Sequence, residues 1–475
     1  FDPDASKSAA EKKNVKVAET SFFSDKPLVI DDKIPAGDIN DYVTPTFYAP
    51  NASWLVQRNG MDKRHSLMIA QNASEGNHMH ANGISMELYG KGYVLAPDAG
   101  IGLYLYSGLD YLEYYSQFPS HNTVCVDGIS SYPVMKSNHS FDLKSSFPVS
   151  AEPGKAFTSV TYSDVSFREP ESRADQTRMM SIVTTGPETG YYVDIFRSRK
   201  ERGGDKMHDY FYHNLGQEMT LAAADGTDLH LQPTEELAFA GAHLGAYSYL
   251  FDKKCARTGK DVKATFTIDM KDKGGDDIVM NLWMKGEPDR EVFTALSPMT
   301  EGLSRTPGMP YNIKEQPTLT FVARQKGEAW NRPFVTIYEP SSVKEPGCIA
   351  EVSFPKVKSK TENSATSICV VQKDGRIDYI LSSDNPTDIC TSGKMSAQAT
   401  YALWGNKKGD DCTFFLGHGT LLSTPNVVIK AETPADVLLE FKKGAWYYTA
   451  STDCTVSIQK KTYKLKANTE EKILK

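Results

Sequence analysis

The chain has 475 residues, 40% of them hydrophobic, 24% charged and 11% aromatic. That length predicts two or three domains rather than one core, and the composition is not that of a disordered chain. The net charge of −7 argues against a nucleic-acid partner, so a polyanion would need a local basic groove, and no run reaches the roughly 18 apolar residues of a membrane-spanning helix.

The 24 Tyr and 21 Phe, set among 34 Gly and 25 Pro, favour pleated, half-buried surfaces. The chain begins at Phe1 with no charged-then-apolar leader pattern, which predicts a processed product or an excised piece. Residues 1–48 read as a polar linker, with a last helical turn over 7–13 and one edge strand near Lys26-Pro-Leu-Val-Ile30.

From about Ala49 short strands alternate with turns. Ser53–Gln57 and Ser66–Ala70 are strand-like, and Ile84–Tyr89 with Gly90-Lys-Gly92 and Tyr93–Ala96 reads as a hairpin. Thr123–Val126 ends in an Asp127-Gly128 turn, and similar runs follow at 156–162, 180–183, 191–196, 264–268 and 318–322. With almost no sustained helical period, the expected fold is all-β: a large antiparallel super-sandwich over 49–420. A weaker boundary near Leu421–Pro434 marks off 421–475 as a small terminal β domain or a closing sheet. The seven cysteines contain no C-x-x-C, and most lie in strand-like runs as small buried hydrophobes.

Chemistry concentrates between residues 76 and 128. In Gly76-Asn-His78-Met-His80-Ala-Asn-Gly83, residues two apart on a strand share a face, so His78 and His80 would project together. Ala96-Pro-Asp98-Ala-Gly100 and Ser120-His121-Asn-Thr-Val-Cys-Val126 each set a polar residue at the edge of an apolar strand. His80, Asp98 and His121 make a reasonable zinc ligand set with an open or water-filled fourth position. The plainer alternative is a pair of buried histidines hydrogen-bonded to Asp98, holding a loop without any ion.

The order H-x-H, hairpin, P-D-x-G and H-N-T-V with a D-G turn, over residues 77–128, resembles the β-domain signature of the heparinase II/III-like polysaccharide lyases. The likeness continues more loosely through 191–197, 208–214 and 333–340, and so spans roughly 50 to 420. It implies cleavage of uronate-containing polysaccharide, of glycosaminoglycan or alginate type, by β-elimination. The family's architecture is a helical α/α toroid followed by a β super-sandwich, with substrate in the cleft between them.

Carried over by position, His78 corresponds to the catalytic-cleft histidine and His80, Asp98 and His121 to structural zinc ligands. Tyr114 and Tyr115 stand where some members carry a catalytic tyrosine. The arginine often found between that tyrosine and the histidine is absent, Gln117 lying in the stretch, and no helical toroid precedes residue 50. The expected partners are therefore an acidic polysaccharide and a toroid domain of the same protein. Without that toroid the chain should be inactive or weak. The resemblance also implies export to the periplasm or outer cell surface of a bacterium.

Several residues have plainer roles. Tyr111-Leu-Glu-Tyr-Tyr115 can simply pack rings, and His208 and His213 read as satisfied sheet residues. Arg168, Arg173 and Arg178 offer charge for an anionic sugar, though such spacing more often marks a solvated face. Two other functions remain open: a non-catalytic glycan-binding or scaffolding sandwich, and a zinc hydrolase, for which Glu87 is a poor acid–base candidate because its strand parity matches neither ligand histidine.

Overall fold

The computed structural model describes residues 17–18, 27–28, 42–77, 80–100, 109–130, 136–149, 156–201, 206–237, 242–300, 313, 316–361, 365–407 and 411–474. The helical turn expected over 7–13, and His78, lie outside them. The edge strand expected near residue 28 is a two-residue strand, Pro27–Leu28, paired with Val17–Ala18.

The all-β expectation is met by large antiparallel sheets, none of them closed into a barrel. The central sheet has eight strands, in spatial order Asp142–Phe147, Val160–Arg168, Ala174–Thr184, Gly190–Lys200, Ala329–Ser342, Ile278–Met284, Val262–Ile268 and Glu218–Ala223. Its middle strands are apolar on both faces. Met180, Ile182, Tyr192 and Phe196 point into one core, while Met179, Val183, Tyr191, Val193 and Ile195 point into another. Alternating side chains thus feed two cores, which explains why these strands read as near-continuous apolar runs.

The first core is closed by two smaller sheets. One has five strands, Thr46–Ala49, Trp54–Arg58, Met68–Asn72, Ser85–Gly90 and Tyr93–Ala96; its last pair is the hairpin expected from the sequence. The other has six, from Gln232–Pro233 through Thr318–Lys326 and Met207–Asn214 to Val124–Val126. The outer face of the six-stranded sheet carries a third core, under the short helical segments Tyr111–Tyr115 and Ala242–Tyr249.

The second core is closed by an eleven-stranded sheet running from Ile349–Ser353 to Asn468–Ile473. Strand Val427–Lys442 pairs along its length with Cys412–Ser423, and on its other side with both Ala445–Ala450 and Cys454–Ile458. Leu421–Ser423 and the residues from Val427 are strand, with 424–426 the turn between them, and the residues beyond continue the same sheet over a core shared with Leu381, Met395 and Phe414.

Three sheets are tied by one buried cation. The Arg178 guanidinium grips Asp194 through Nε at 3.0 Å and Nη2 at 2.7 Å, both side chains being wholly buried. Its Nη1 donates to the carbonyls of Ile84 at 2.8 Å and Asn122 at 2.7 Å, so the central sheet holds a residue beside each of the two smaller ones. Tyr210 Oη donates to Asp194 at 2.7 Å and hydrogen-bonds Tyr338 Oη. Arg178 is thus an internal clamp and not a surface charge. Of the other two arginines in that spacing, Arg168 is exposed and pairs with Asp175 and Glu201, and Arg173 is exposed at a left-handed turn position, φ 58°.

Replacing Arg178 by Met strands a buried carboxylate and should lower the unfolding free energy by about 3–5 kcal/mol. Arg168→Met should change it by less than about 1 kcal/mol, as for other exposed pairs. Urea denaturation of both variants provides the check.

Candidate metal centre

Three separated segments deliver the ligand set. The strand Ser74–Asn77 ends before His80, so His80 sits in an irregular link to Ser85–Gly90. Strand parity therefore does not govern His80. The link is held by Ala81 N donating to Ser116 O at 2.9 Å. It contains Gly83 at φ 59°, where a Cβ would stand 2.7 Å from the Phe118 ring and 2.9 Å from Thr123 Oγ1, so only glycine fits both the backbone and the space.

Asp98 follows strand Tyr93–Ala96, in a turn where its Oδ1 accepts from Gly100 N at 3.0 Å. His121 caps the single turn Phe118–Ser120 with extended backbone, just ahead of strand Val124–Val126.

These segments bring one ligand atom each of His80, Asp98 and His121 within 4.8 Å of one another. His121 Nδ1 lies 2.8 Å from Asp98 Oδ2, and the two imidazole rings are 5.5 Å apart. The His121 side chain is fully buried while 26% of Asp98 is exposed, so the group opens to solvent on the Asp98 side. The Nε2 of His121 is buried with no hydrogen-bond partner among the described residues. A buried imidazole nitrogen left unpaired is costly unless something binds it.

Charge in the group is divided as a cation site requires. Burial, with His121 beside it, pushes His80 down to about 4, Asp98 opposing only in part, so this ring is neutral near pH 7. Burial would raise Asp98, but the neighbouring His121, its hydrogen bond, His80 and the Gly100 N–H together hold the carboxyl well below its ordinary range. Neutral imidazole and ionised carboxylate are the forms that ligate zinc.

Two residues to which sequence reasoning gave no supporting role hold the site in place. Glu87 accepts from Asp98 N at 2.8 Å. Burial and the Asp98 charge push it up to about 7. Its parity relative to the histidines carried no information, because His80 and His121 are not on its strand. Asn122 donates to the carbonyls of Met86 at 3.0 Å and Pro97 at 3.2 Å, and its Oδ1 accepts from His213 N at 2.6 Å. The residue after His121 thus clamps the residues next to Glu87 and Asp98. Its place in H-N-T-V was the available signal.

Tyr114 and Tyr115 lie in the segment Tyr111–Tyr115, whose first N–H is capped by Asp110. Both rings are buried in the third core. Tyr115 Oη donates to Met299 O at 2.8 Å, and Tyr114 stacks on Tyr249 at 5.5 Å. Burial drives the Tyr114 hydroxyl upward, a hydrogen bond with Ser297 offsetting only part. It is Tyr111 whose ring meets His80, edge-on at 5.6 Å. Gln117 donates to Leu112 O at 2.8 Å and closes the turn.

His208 and His213 are satisfied sheet residues, as expected. His208 Nδ1 lies 2.8 Å from Ser198 Oγ. His213 Nε2 lies 3.0 Å from Pro119 O, which can only accept, so Nε2 carries the proton and Nδ1, 3.0 Å from Thr320 Oγ1, is left as an acceptor. Burial, then repulsion from His121, lowers His213 to about 3. It is therefore neutral in both folded and unfolded chains above about pH 6.5, and stability drains away as the pH falls from there toward 3. In chelator, His213→Gln should keep the bond to Pro119 and spare about 2–3 kcal/mol of that loss by pH 4. Urea midpoints against pH for the two proteins decide it.

The family Heparinase II/III-like, C-terminal matches residues 43–170. Over 448 residues the chain is 28% identical to the endo-acting ulvan lyase of Formosa agariphila, covering 88% of this chain and 52% of that protein. It thus spans about half the length of that curated relative. Among solved structures, heparinase III, the BT4657 gene product, aligns over 74% of this chain and 44% of its own, with a TM-score of 0.43 and 13% identity. A further heparinase III crystal structure aligns over 70% and 42%, with a TM-score of 0.39 and 12% identity. His80, Asp98 and His121 all fall within the matched stretch, and the likeness read from residues 77–128 holds: residues 43–170 carry the heparinase II/III-like C-terminal signature.

Proposed function

We propose that this chain is the β-sheet portion of an exported polysaccharide lyase that cleaves a uronate-containing polymer by β-elimination, with His80, Asp98 and His121 holding a structural zinc ion. The observation that carries the reading is the meeting of these three side chains, from segments up to 41 positions apart in the numbering, within 4.8 Å. The match of that same stretch to a lyase family, and the 28% identity to a named lyase, support the reaction class. The relative's name adds ulvan to glycosaminoglycan and alginate as candidate polymers.

The residues fit the ion in kind and state. Two imidazoles and one carboxylate are ordinary zinc donors, and His121 Nε2, without a hydrogen-bond partner among the described residues, leaves a donor for the ion. Zinc here would pin three loops together and supply no chemistry of its own. Among the described residues no helix is long and apolar enough to cross a membrane.

β-Elimination removes the weakly acidic C5 proton and expels the C4 oxygen, and so needs a neutraliser for the carboxylate, a base and an acid. His78, two positions before a ligand, is our candidate for carboxylate neutralisation or proton transfer. Tyr114 and Tyr115 are candidates for the acid or base by their position in the sequence, and their rings pack in the third core. The remaining groups would come from a helical toroid domain of the same protein.

In the full-length enzyme, His78→Ala should lower the rate of ultraviolet-absorbing unsaturated products by about 10²–10⁴-fold, the worth of a positioned acid or base. An undiminished rate would remove His78 from the mechanism. Zinc titration of this chain, followed by competition with a chromogenic chelator, should show a single tight site that His121→Ala abolishes. Tight binding that survives that change would remove the metal assignment.

A further inference from the structure

Arg197 lies on the face of the central sheet opposite Arg178, 97% buried by its 3% exposure. Its Nη1 donates to Trp330 O at 2.6 Å, but its Nη2 is buried with no hydrogen-bond partner among the described residues. No described carboxylate forms an ion pair with it; Asp164 and Asp384 act on it only as more distant charges. A guanidinium in this state has its charge met only at a distance and one donor unanswered.

Arg197 lines a cavity of about 210 Å³ between the eight- and eleven-stranded sheets. Cross-strand register brings its charges together. Thr177 stands opposite Arg197, and Met179 opposite both Ile195 and Asp164, so all five side chains share the face toward the cavity. Lys144 reaches it from the neighbouring strand, and Ser383 and His418 close it from the far sheet. Trp330 forms one wall; its Nε1 donates to Asp384 Oδ2 at 2.5 Å, and the Arg199 guanidinium stacks on its ring at 4.1 Å. Burial pushes Asp164 up to about 7, so near neutral pH it can offer a proton as well as accept one.

We propose that this cavity binds one oxyanion-bearing sugar residue, its carboxylate or sulfate held by Arg197 and Lys144 and a hydroxyl by Asp164, beside the Trp330 ring. Such a site would set two cations, Arg197 and Lys144, against the carboxylates Asp164 and Asp384 in one cavity, a local arrangement by which a chain of net charge −7 can hold an acidic sugar. It lies across the central sheet from the His80–Asp98–His121 group. Only the choice of a sugar rests on the polysaccharide reading; the oxyanion follows from Arg197 and Lys144 lining one cavity.

Calorimetric titration of the whole chain with glucuronate, glucose 6-sulfate, glucose and sodium sulfate tests the proposal. Glucuronate, glucose 6-sulfate or both should bind saturably, and the stronger of them identifies the oxyanion. Arg197→Gln should weaken that binding by about tenfold or more, the worth of a charge-assisted bond. Lys144→Gln, at an exposed position that leaves folding untouched, should weaken it by roughly two- to fivefold. Equal binding of glucose, binding of inorganic sulfate alone, or unchanged affinity in Lys144→Gln would overturn the proposal. The readout is binding, so a chain without lyase activity leaves the site standing, while lyase activity without binding here overturns this site alone.

Discussion

Arg178 and Asp194 are removed from water where three sheets meet, and the site depends on that pair. Two charges inside a protein persist only if their remaining donors and acceptors are satisfied as well as their mutual attraction. Here the satisfaction is structural. The guanidinium uses its spare hydrogens on the carbonyls of Ile84 and Asn122, and the carboxylate takes a further bond from Tyr210. Ile84 begins the link that leads back to His80, and Asn122 is the neighbour of His121. Desolvation of one ion pair therefore sets the separation of two of the three ligand-bearing segments.

The third segment is set by Asn122. Its side-chain amide fixes Met86 and Pro97, on either strand of the hairpin that carries Glu87 and leads to Asp98. Glu87 then holds the Asp98 backbone. None of these bonds reaches a ligand atom directly. They act by leaving the ligand side chains little freedom, which is how an ordered site avoids losing entropy when it binds an ion. The electrostatics follow from the same setting: burial and His121 keep His80 neutral, while His121, His80 and the Gly100 N–H keep Asp98 ionised against its burial.

The central sheet also separates two chemistries by strand parity alone. Even-numbered positions from Arg178 to Ile182, with Asp194 and Phe196, serve the clamp and the first core, while Arg197, Met179 and Ile195 turn toward the second. A shift of one residue in register would exchange these faces. The paired register from Ala174–Lys200 to Thr184–Gly190, eleven residues without a bulge, holds that division.

Much of this was legible along the chain because it depends on local pattern. The hairpin over 84–96 shows in its alternation and its Gly-Lys-Gly turn, and the Asp127-Gly128 turn shows in residues that tolerate positive φ, 54° and 72°. Asp98 and His121 were visible as polar residues at the edges of apolar strands, whereas His80 drew notice through the H-x-H pair, whose strand reading fails because His80 lies outside any strand. What the sequence alone determined is therefore the strand class and the local motifs, because both arise from neighbours a few bonds apart. Only the tertiary structure decided that Arg178 is a clamp, that Glu87 and Asn122 support the site, that Tyr114 and Tyr115 are buried, and that Arg197 lines a cavity. Each of those roles is set by groups tens to hundreds of residues away, and burial of a charge leaves no local mark in the sequence.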